Sequence, residues 1–384
     1  MSQLLESRWS ETKDALLEGL QGNKRSVMAT TLENTRKYLA ESATAGATSA
    51  GNVATLNRVI LPVIRRVMPT VIANELVGVQ PMTGPVGQIH TLRVRYSDTF
   101  SGTGGNVTAG EEALSPFKIA EGYAGATTGK AASTAALEGV AGNKLSIQIL
   151  KQTVEAKTRK LSARWTFEAA QDAQAQQGID IEAEIMAALA QEITAEIDQE
   201  VLRSLATLSS TVLTYDQAAV SGTATFVGDE HAALAVQINR AAQRTRRGAG
   251  NWAVVSPTTL TLLQSATTSA FARTTEGTFE APTNTKFVGT LNSAMKVYVN
   301  TYAENDNVLV GYKGSSESDA AAFYCPYIPL MSSGVVLDPA TFEPVVSFMT
   351  RYGYVELTNT ASSLGNAADY LATVAVTSAN LRFA

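Results

Sequence analysis

The sequence predicts an α+β fold whose helical and strand-rich halves are interleaved, rather than a doubly wound sheet. Three observations carry that reading. Ile181, Ile185, Leu189, Ile193, Ile197, Val201 and Leu205 recur every fourth residue and mark one long helix. Short runs rich in β-branched and aromatic residues follow, among them KVYVN, NVLVGYKG, AAFYCPYIPL, VSFMTRYGYVEL and LATVAV. Residues 99 to 143 hold nine glycines with many Ala and Thr, which suits an outward-reaching two-stranded ribbon better than a compact core. Two strands alone are not stable, so such a ribbon is expected to lie on something else, most simply a neighbouring copy.

From the start of the chain, Leu4, Leu5, Trp9, Leu16, Leu17 and Leu20 are spaced for one helical stripe, and Ser26 to Glu41 gives a second stretch. Helices of this length are marginal alone, so residues 1–41 are expected to dock on a partner or to be removable. ESATAGATSAGN then reads as a linker. Pro62 and Pro69 break the apolar run from Leu56 to Asn74 into short pieces, as in an arm. Turn chemistry between Gly78 and Gly87 precedes an alternating strand, IHTLRVRYSDTF. KLSIQILKQ alternates as well, and helical periodicity begins near Thr166. The long helix spans roughly 25 residues, on the order of 35 to 40 Å. Asp180 and Glu182 lie in its first turn and Arg203 near its end, where each charge complements the helix dipole. After short strands and turns over 207–225 come an Ala-rich helix from His231 to Arg247 and a strand, NWAVV, with a helix starting near Ser256 and Pro257.

Composition narrows the function. The 384 residues carry 30 Lys and Arg against 35 Asp and Glu, a net charge of −5, which argues against a protein that coats nucleic acid. The hydrophobic share is 45% and the mean hydropathy +0.01, as in folded chains. A lone cysteine, Cys325, forms no intrachain disulfide, and the compartment is expected to be reducing. The amino terminus is charged throughout, unlike a secretory signal, and no run of 18 apolar residues predicts a membrane span.

The commonest phosphate-binding, zinc and acyl-transfer signatures are missing from the sequence, and His90, His231 and Cys325 cannot alone supply a zinc site. His90 is expected to be partly buried and Cys325 to be a small core residue. No catalytic, cofactor-binding or metal-binding residue is assigned, and an enzyme is not expected. Glu192, Glu196 and Glu200 stand at i, i+4 and i+8, a like-charged line that weakens a helix unless cations face it. The cluster Lys151, Lys157, Arg159, Lys160 and Arg164 is one candidate partner; Arg244, Arg246 and Arg247 are another. Neither has the interleaved aromatics of a nucleic-acid stacking platform.

Three long strings resemble the major capsid protein of T-even-type tailed phages. They are RRVMPTVIANELVGVQPMTGPVGQIHTLRVRY from Arg65 to Tyr96, KQTVEAKTRKLSARWTFEAAQDAQAQQGIDIEAEI with the helix after it, and the segment Tyr298 to Val355. Together they cover about half the chain and span nearly all of it.

The resemblance implies an HK97-like fold. Residues 1–41 would be an N-terminal segment, 42–97 linker and arm, 98–143 the extended loop, 144–210 a peripheral domain with the spine helix, 211–344 the axial domain, and 345–384 a return to the peripheral domain. It also implies homo-oligomeric assembly into hexamers, with pentamers left open, in an icosahedral virion head around double-stranded DNA. Vertex, scaffold, portal and decoration proteins are the implied partners, with assembly in the host cytoplasm. In that setting the acidic and basic lines become candidate inter-subunit contacts. A maturation protease cutting after Glu in a Leu-x-Glu setting would act at Leu39-Ala40-Glu41. The alternatives are a pentamer-only vertex protein and an encapsulin-like compartment.

Overall fold

The computed structural model describes residues 9–10, 13–44, 71–103, 105–111, 113, 120–178, 180–209, 211–220, 227–243, 249–266, 271–273, 285–317, 319–338, 340–341, 343–357 and 367–377. Its mixture of helix and sheet is the α+β fold that the sequence predicts. A short helix over 13–17 folds back on α1 (Gly22–Thr44), where Trp9 Nε1 donates to Glu33 at 3.4 Å and Lys13 pairs with the same carboxylate at 3.5 Å. Next come α2 (Ala73–Leu76), β1 (Gly78–Val79) and β2 (Val86–Tyr96). After α3 (Thr134–Leu137), strand β3 (Leu145–Glu155) pairs antiparallel with β2 along its whole length, from Val86 opposite Glu155 to Tyr96 opposite Leu145.

Beyond Ala156 the chain continues as β4 (Lys157–Arg164), α4 (Phe167–Gln177) and α5 (Ile181–Leu208). The switch from strand to helix is written in the caps. Thr166 Oγ1 accepts the Ala169 N–H at 3.3 Å, Gly178 ends α4 at φ 67°, and Asp180 Oδ1 accepts the Glu182 N–H at 3.1 Å. There follow β5 (Thr211–Tyr215), α6 (Gln217–Val220), α7 (Val227–Ala242), β6 (Trp252–Val255) and α8 (Pro257–Ser265), the last capped by Ser256. Then come β7 (Phe271–Arg273), β8 (Thr285–Leu291), β9 (Met295–Asn300) and β10 (Val308–Gly311). The final elements are β11 (Ala322–Ser332), β12 (Val336–Leu337), β13 (Pro344–Glu356), a 3-10 turn (Ala367–Tyr370) and β14 (Leu371–Val376).

These strands form two main sheets. In the first, β13 is antiparallel to β11 on one side and β4 on the other, with β12 beside its first residues and β1 parallel to β11. The second runs β5-β14-β10-β6-β9-β8-β7. Sheet membership crosses the boundaries drawn from the sequence. Strand β11 lies in the stretch 211–344 read as axial, yet it pairs with β13; β14 lies in the stretch 345–384 read as peripheral, yet it joins β10 and β5 in the other sheet. Pairing between separate runs decides this, and periodicity within a run does not reveal it.

Two other expectations change. The N-terminal segment finds its partner in its own chain: α1 packs against β11, burying Val27, Met28 and Leu32. Asn34 Nδ2 donates to the carbonyls of Met82 at 2.6 Å and Tyr327 at 3.0 Å. Leu16 and Leu17 are buried, whereas Leu4 and Leu5 lie outside the described residues. The ribbon, for its part, is made of β2 and β3, and the glycine-rich stretch between them closes on a small core of its own. Tyr96, Phe100, Val107, Ala113, Ala120 and Tyr123 form that core, with the Tyr96 and Tyr123 rings 4.7 Å apart edge to face. The Tyr123 hydroxyl donates to the Lys144 carbonyl at 2.6 Å and ties the knob to the start of β3.

Where the ribbon meets the first sheet, Gly353 of β13 lies under Val154 of β3. A Cβ at that glycine would stand 2.3 Å from Val154 Cγ1 and 3.2 Å from the Glu155 carbonyl oxygen. Gly353→Val is expected to lower stability by about 1–3 kcal/mol, the usual cost of overpacking. Thermal unfolding would read the loss, and hydrogen exchange would place the loosening at the base of β3.

Candidate functional site

The acidic line on α5 and the basic run on β4 meet within one chain. Arg159 Nη1 lies 2.5 Å from Glu196 Oε2, its Nη2 2.6 Å from Glu200 Oε2, and its Nε donates to the Tyr352 hydroxyl at 2.5 Å. Tyr352 in turn donates to Glu200. Register explains the meeting: Lys157, Arg159, Leu161 and Ala163 share the face of β4 that lies beside Tyr352, Thr350, Phe348 and Val346 of β13. That face looks onto α5. Burial works against the charge of Arg159, but the bonds to Glu200 and Tyr352 outweigh it and raise its pKa. Burial likewise raises the Glu200 pKa, and the Tyr352 and Arg159 bonds more than cancel it, so this carboxyl sits below its ordinary range.

The remaining candidates divide. Lys151, Lys157, Lys160 and Glu192 are exposed. Arg164 is 71% exposed, its Nε 3.7 Å from Glu343. Arg203 pairs with Glu304 at 2.6 Å across the mouth of a cleft of about 340 Å³ between α5 and the loop after β9. Leu39 and Glu41 fall in the last turns of α1. Arg244, Arg246 and Arg247 lie outside the described residues. His90 is exposed, contrary to expectation, because it points from an open ribbon face. Cys325 is buried, which pushes its thiol up to about 12.

Asp198 escapes the sequence reading. The helix buries a second stripe beside the predicted one, Met186, Ala190, Thr194, Asp198 and Leu202, and Asp198 is its one charge. Its Oδ1 accepts the Ile72 N–H at 2.8 Å, and its Oδ2 is buried without a partner. Burial lifts its pKa to about 7, partly offset by that backbone bond. The signal was present, since residues four apart along this stripe are otherwise small or apolar. The ribbon is open on one face: Leu145, Ile147 and Ile149 on β3 are 53%, 69% and 65% exposed.

The chain thus combines an exposed apolar strand in its ribbon with a charge cluster satisfied internally. Residues 53–377 match the family model described as Major capsid protein Gp23. The chain belongs to that family, whose members are structural capsid proteins and not enzymes. It is 30% identical over 425 residues to the major capsid protein of Vibrio phage KVP40, covering 85% of this chain and 82% of the relative. It is 30% identical over 410 residues to that of Enterobacteria phage T4, covering 82% of this chain and 78% of the relative. Among solved structures, the capsid of cyanophage P-SCSP1u aligns at 12% identity and a TM-score of 0.45, over 80% of this chain and 88% of that one. The capsid of Myoviridae phage XM1 aligns at 10% identity and 0.42, over 79% and 91%. Among the described residues no helix is long and apolar enough to cross a membrane.

Two outcomes follow from the geometry. Arg159→Met should cost about 1 kcal/mol, because the pairs are half exposed, and the loss should shrink at high salt, as read by denaturant titration. Asp198 binds its proton more tightly folded than unfolded, so its contribution favours folding below about pH 4 and is lost as pH rises through about 7. Asp198→Asn should therefore melt a few degrees above the parent at pH 8, with the gain shrinking toward pH 4.

Proposed function

We propose that this chain is the major shell subunit of a tailed-phage head. Copies form hexameric capsomers, and pentamers where the same chain fills fivefold positions, and the closed icosahedral shell encloses packaged double-stranded DNA. Family membership supports the role, and the observation that carries the assembly reading is the state of the ribbon. Residues 133–149 are exposed without a break, and they include Leu137, Val140, Leu145, Ile147 and Ile149. Exposed apolar side chains along one strand face, as Leu145, Ile147 and Ile149 are on β3, mark a protein contact, and a two-stranded ribbon needs one. A neighbouring copy is the partner that a closed shell supplies at every position.

In this reading the fold is of the HK97 type, with 98–143 as the extended loop. The peripheral unit comprises β4, α4, α5, β11 and β13, and the axial unit is the seven-stranded sheet. The remaining basic and acidic candidates, Lys151, Lys157, Lys160, Arg164 and Glu192, serve contacts between subunits. Vertex, scaffold, portal and decoration proteins are the further partners, with assembly in the host cytoplasm and residence in the virion capsid. The net charge of −5 suits a wall that holds DNA without gripping it. Maturation removes the first 41 residues after Glu41. The cut falls inside α1, so the last turns of that helix must open before a protease reads them.

Electron microscopy and mass spectrometry of the same particles test this. The expected result is hundreds of copies in hexamers, with a chain starting at Ser42. Copies confined to the fivefold vertices would keep the fold and overturn the role, and an intact N-terminus in mature particles would reject cleavage.

A further inference from the structure

Helix α4 is formed but uncovered. Of residues 167–176 only Ala170 and Ala173 are half buried, Phe167 is 40% exposed, and the helix packs chiefly against the start of α5. An 11-residue helix in water is marginal, and its caps at Thr166 and Gly178 offset that by about 1 kcal/mol each. Its charge is as one-sided as its burial. From Trp165 to Leu202 the chain has nine carboxylates and neither Lys nor Arg. Arg159 holds two of them and Asp198 is inside; Glu168, Asp172, Asp180, Glu182, Glu184 and Glu192 make no ion pair among the described residues.

A surface of opposite character lies on the first sheet. Thr158, Lys160, Ser162 and Arg164 point away from α5 and stand opposite Arg351, Met349, Ser347 and Val345 of β13. Val336 pairs with Val345 at the margin, and Val335, Val336 and Leu337 are 41%, 57% and 45% exposed. Three cations sit on this face, and Glu343 beside Arg164 is the carboxylate at its edge. The two surfaces do not meet in one chain. Two residues, Trp165 and Thr166, separate β4 from α4, and the Trp165 N–H is bonded to the Pro344 carbonyl at 3.2 Å, so α4 leaves the end of the sheet instead of doubling back over it. The sizes match: α4 is about 16 Å long and about 10 Å across, against about 26 Å of strand and two interstrand spacings of about 4.8 Å.

We propose that α4 of one copy docks on the outward face of β4 and β13 of the next copy. Phe167 lies toward Val336 and Val345, and Glu168 and Asp172 toward Lys160 and Arg164. The contact joins unlike surfaces, and repeated head to tail it builds rings or open arrays. It rests on the shell reading and names one surface that such a shell uses.

Charge reversal on each side tests it. Glu168→Lys with Asp172→Lys, and separately Lys160→Glu with Arg164→Glu, should each lower shell yield about tenfold, and the four changes together should restore most of it. Matched melting and near-ultraviolet dichroism show that the variants fold. Unchanged yield in either pair, or no recovery in the combination, overturns the contact. A second measurement needs no charge change: Ala173→Cys with Ser347→Cys, oxidised with copper phenanthroline, should give chains linked into ladders on a denaturing gel. Absence of linked copies overturns it as well. Shells without links refute the contact alone, whereas links without shells refute the shell reading and leave the contact standing.

Discussion

One helix decides how the two sheets of this protein sit together. Over 28 residues, about 42 Å, α5 packs on β4 and β13 of the first sheet and on β14 of the second. It does so with two adjacent stripes rather than one, which widens the apolar face enough to touch both sheets. Polar bonds fix its rotation: Gln199 and Asn300 exchange amide bonds at 2.8 and 3.2 Å, and Ser204 bonds Glu356. If the helix turned by one residue, about 100°, Asp198 would leave the Ile72 N–H and Arg159 would lose both carboxylates. The placement of the segment at 71–76, the strand β4 and the loop after β9 therefore depends on one rotational setting.

Much of this was legible because local chemistry and tertiary demand agree. The four-residue recurrence of isoleucine and leucine, the caps at Thr166, Asp180 and Ser256, and the alternation in β2 and β3 each state their element without outside help. What stayed hidden depends on partners far away in sequence. Tyr352 completes the charge cluster from 193 residues beyond Arg159, and nothing near it announces that role. Strands β11 and β14 each read plainly as strands, yet the sheet each joins is set by pairing, so domain limits drawn along the chain cut across both. The glycine-rich stretch misled for a different reason. Composition favoured an extended ribbon, but three aromatic rings are enough to close a small core, with the Tyr96 and Tyr123 ring centroids 4.7 Å apart, once the ribbon strands hold its two ends together.

Burial and charge divide along the same lines. Among the described residues the ion pairs between the first sheet and α5 are those of Arg159 with Glu196 and Glu200, which leaves the outer helical surface acidic and the outer sheet surface basic. Exposed single pairs contribute little stability to one chain, as the open Arg203 and Glu304 pair illustrates. Their arrangement matters more for association, where unlike surfaces attract and like surfaces repel over about a Debye length.

That separation selects among contacts. Helix set against helix would oppose carboxylates to carboxylates, and sheet against sheet would oppose lysine and arginine to themselves, whereas acidic meets basic when the helix of one copy lies on the sheet of another. A head-to-tail contact joins acidic to basic at every step and leaves one of each surface free at the growing end, which is the condition for a ring that closes or a lattice that extends. Neutralising Arg159 internally strengthens the bias, since it removes from the sheet side a cation that could have bonded α5 of another copy in its own chain's place. The charge pattern thus disfavours pairing of like surface with like and favours pairing of unlike surfaces.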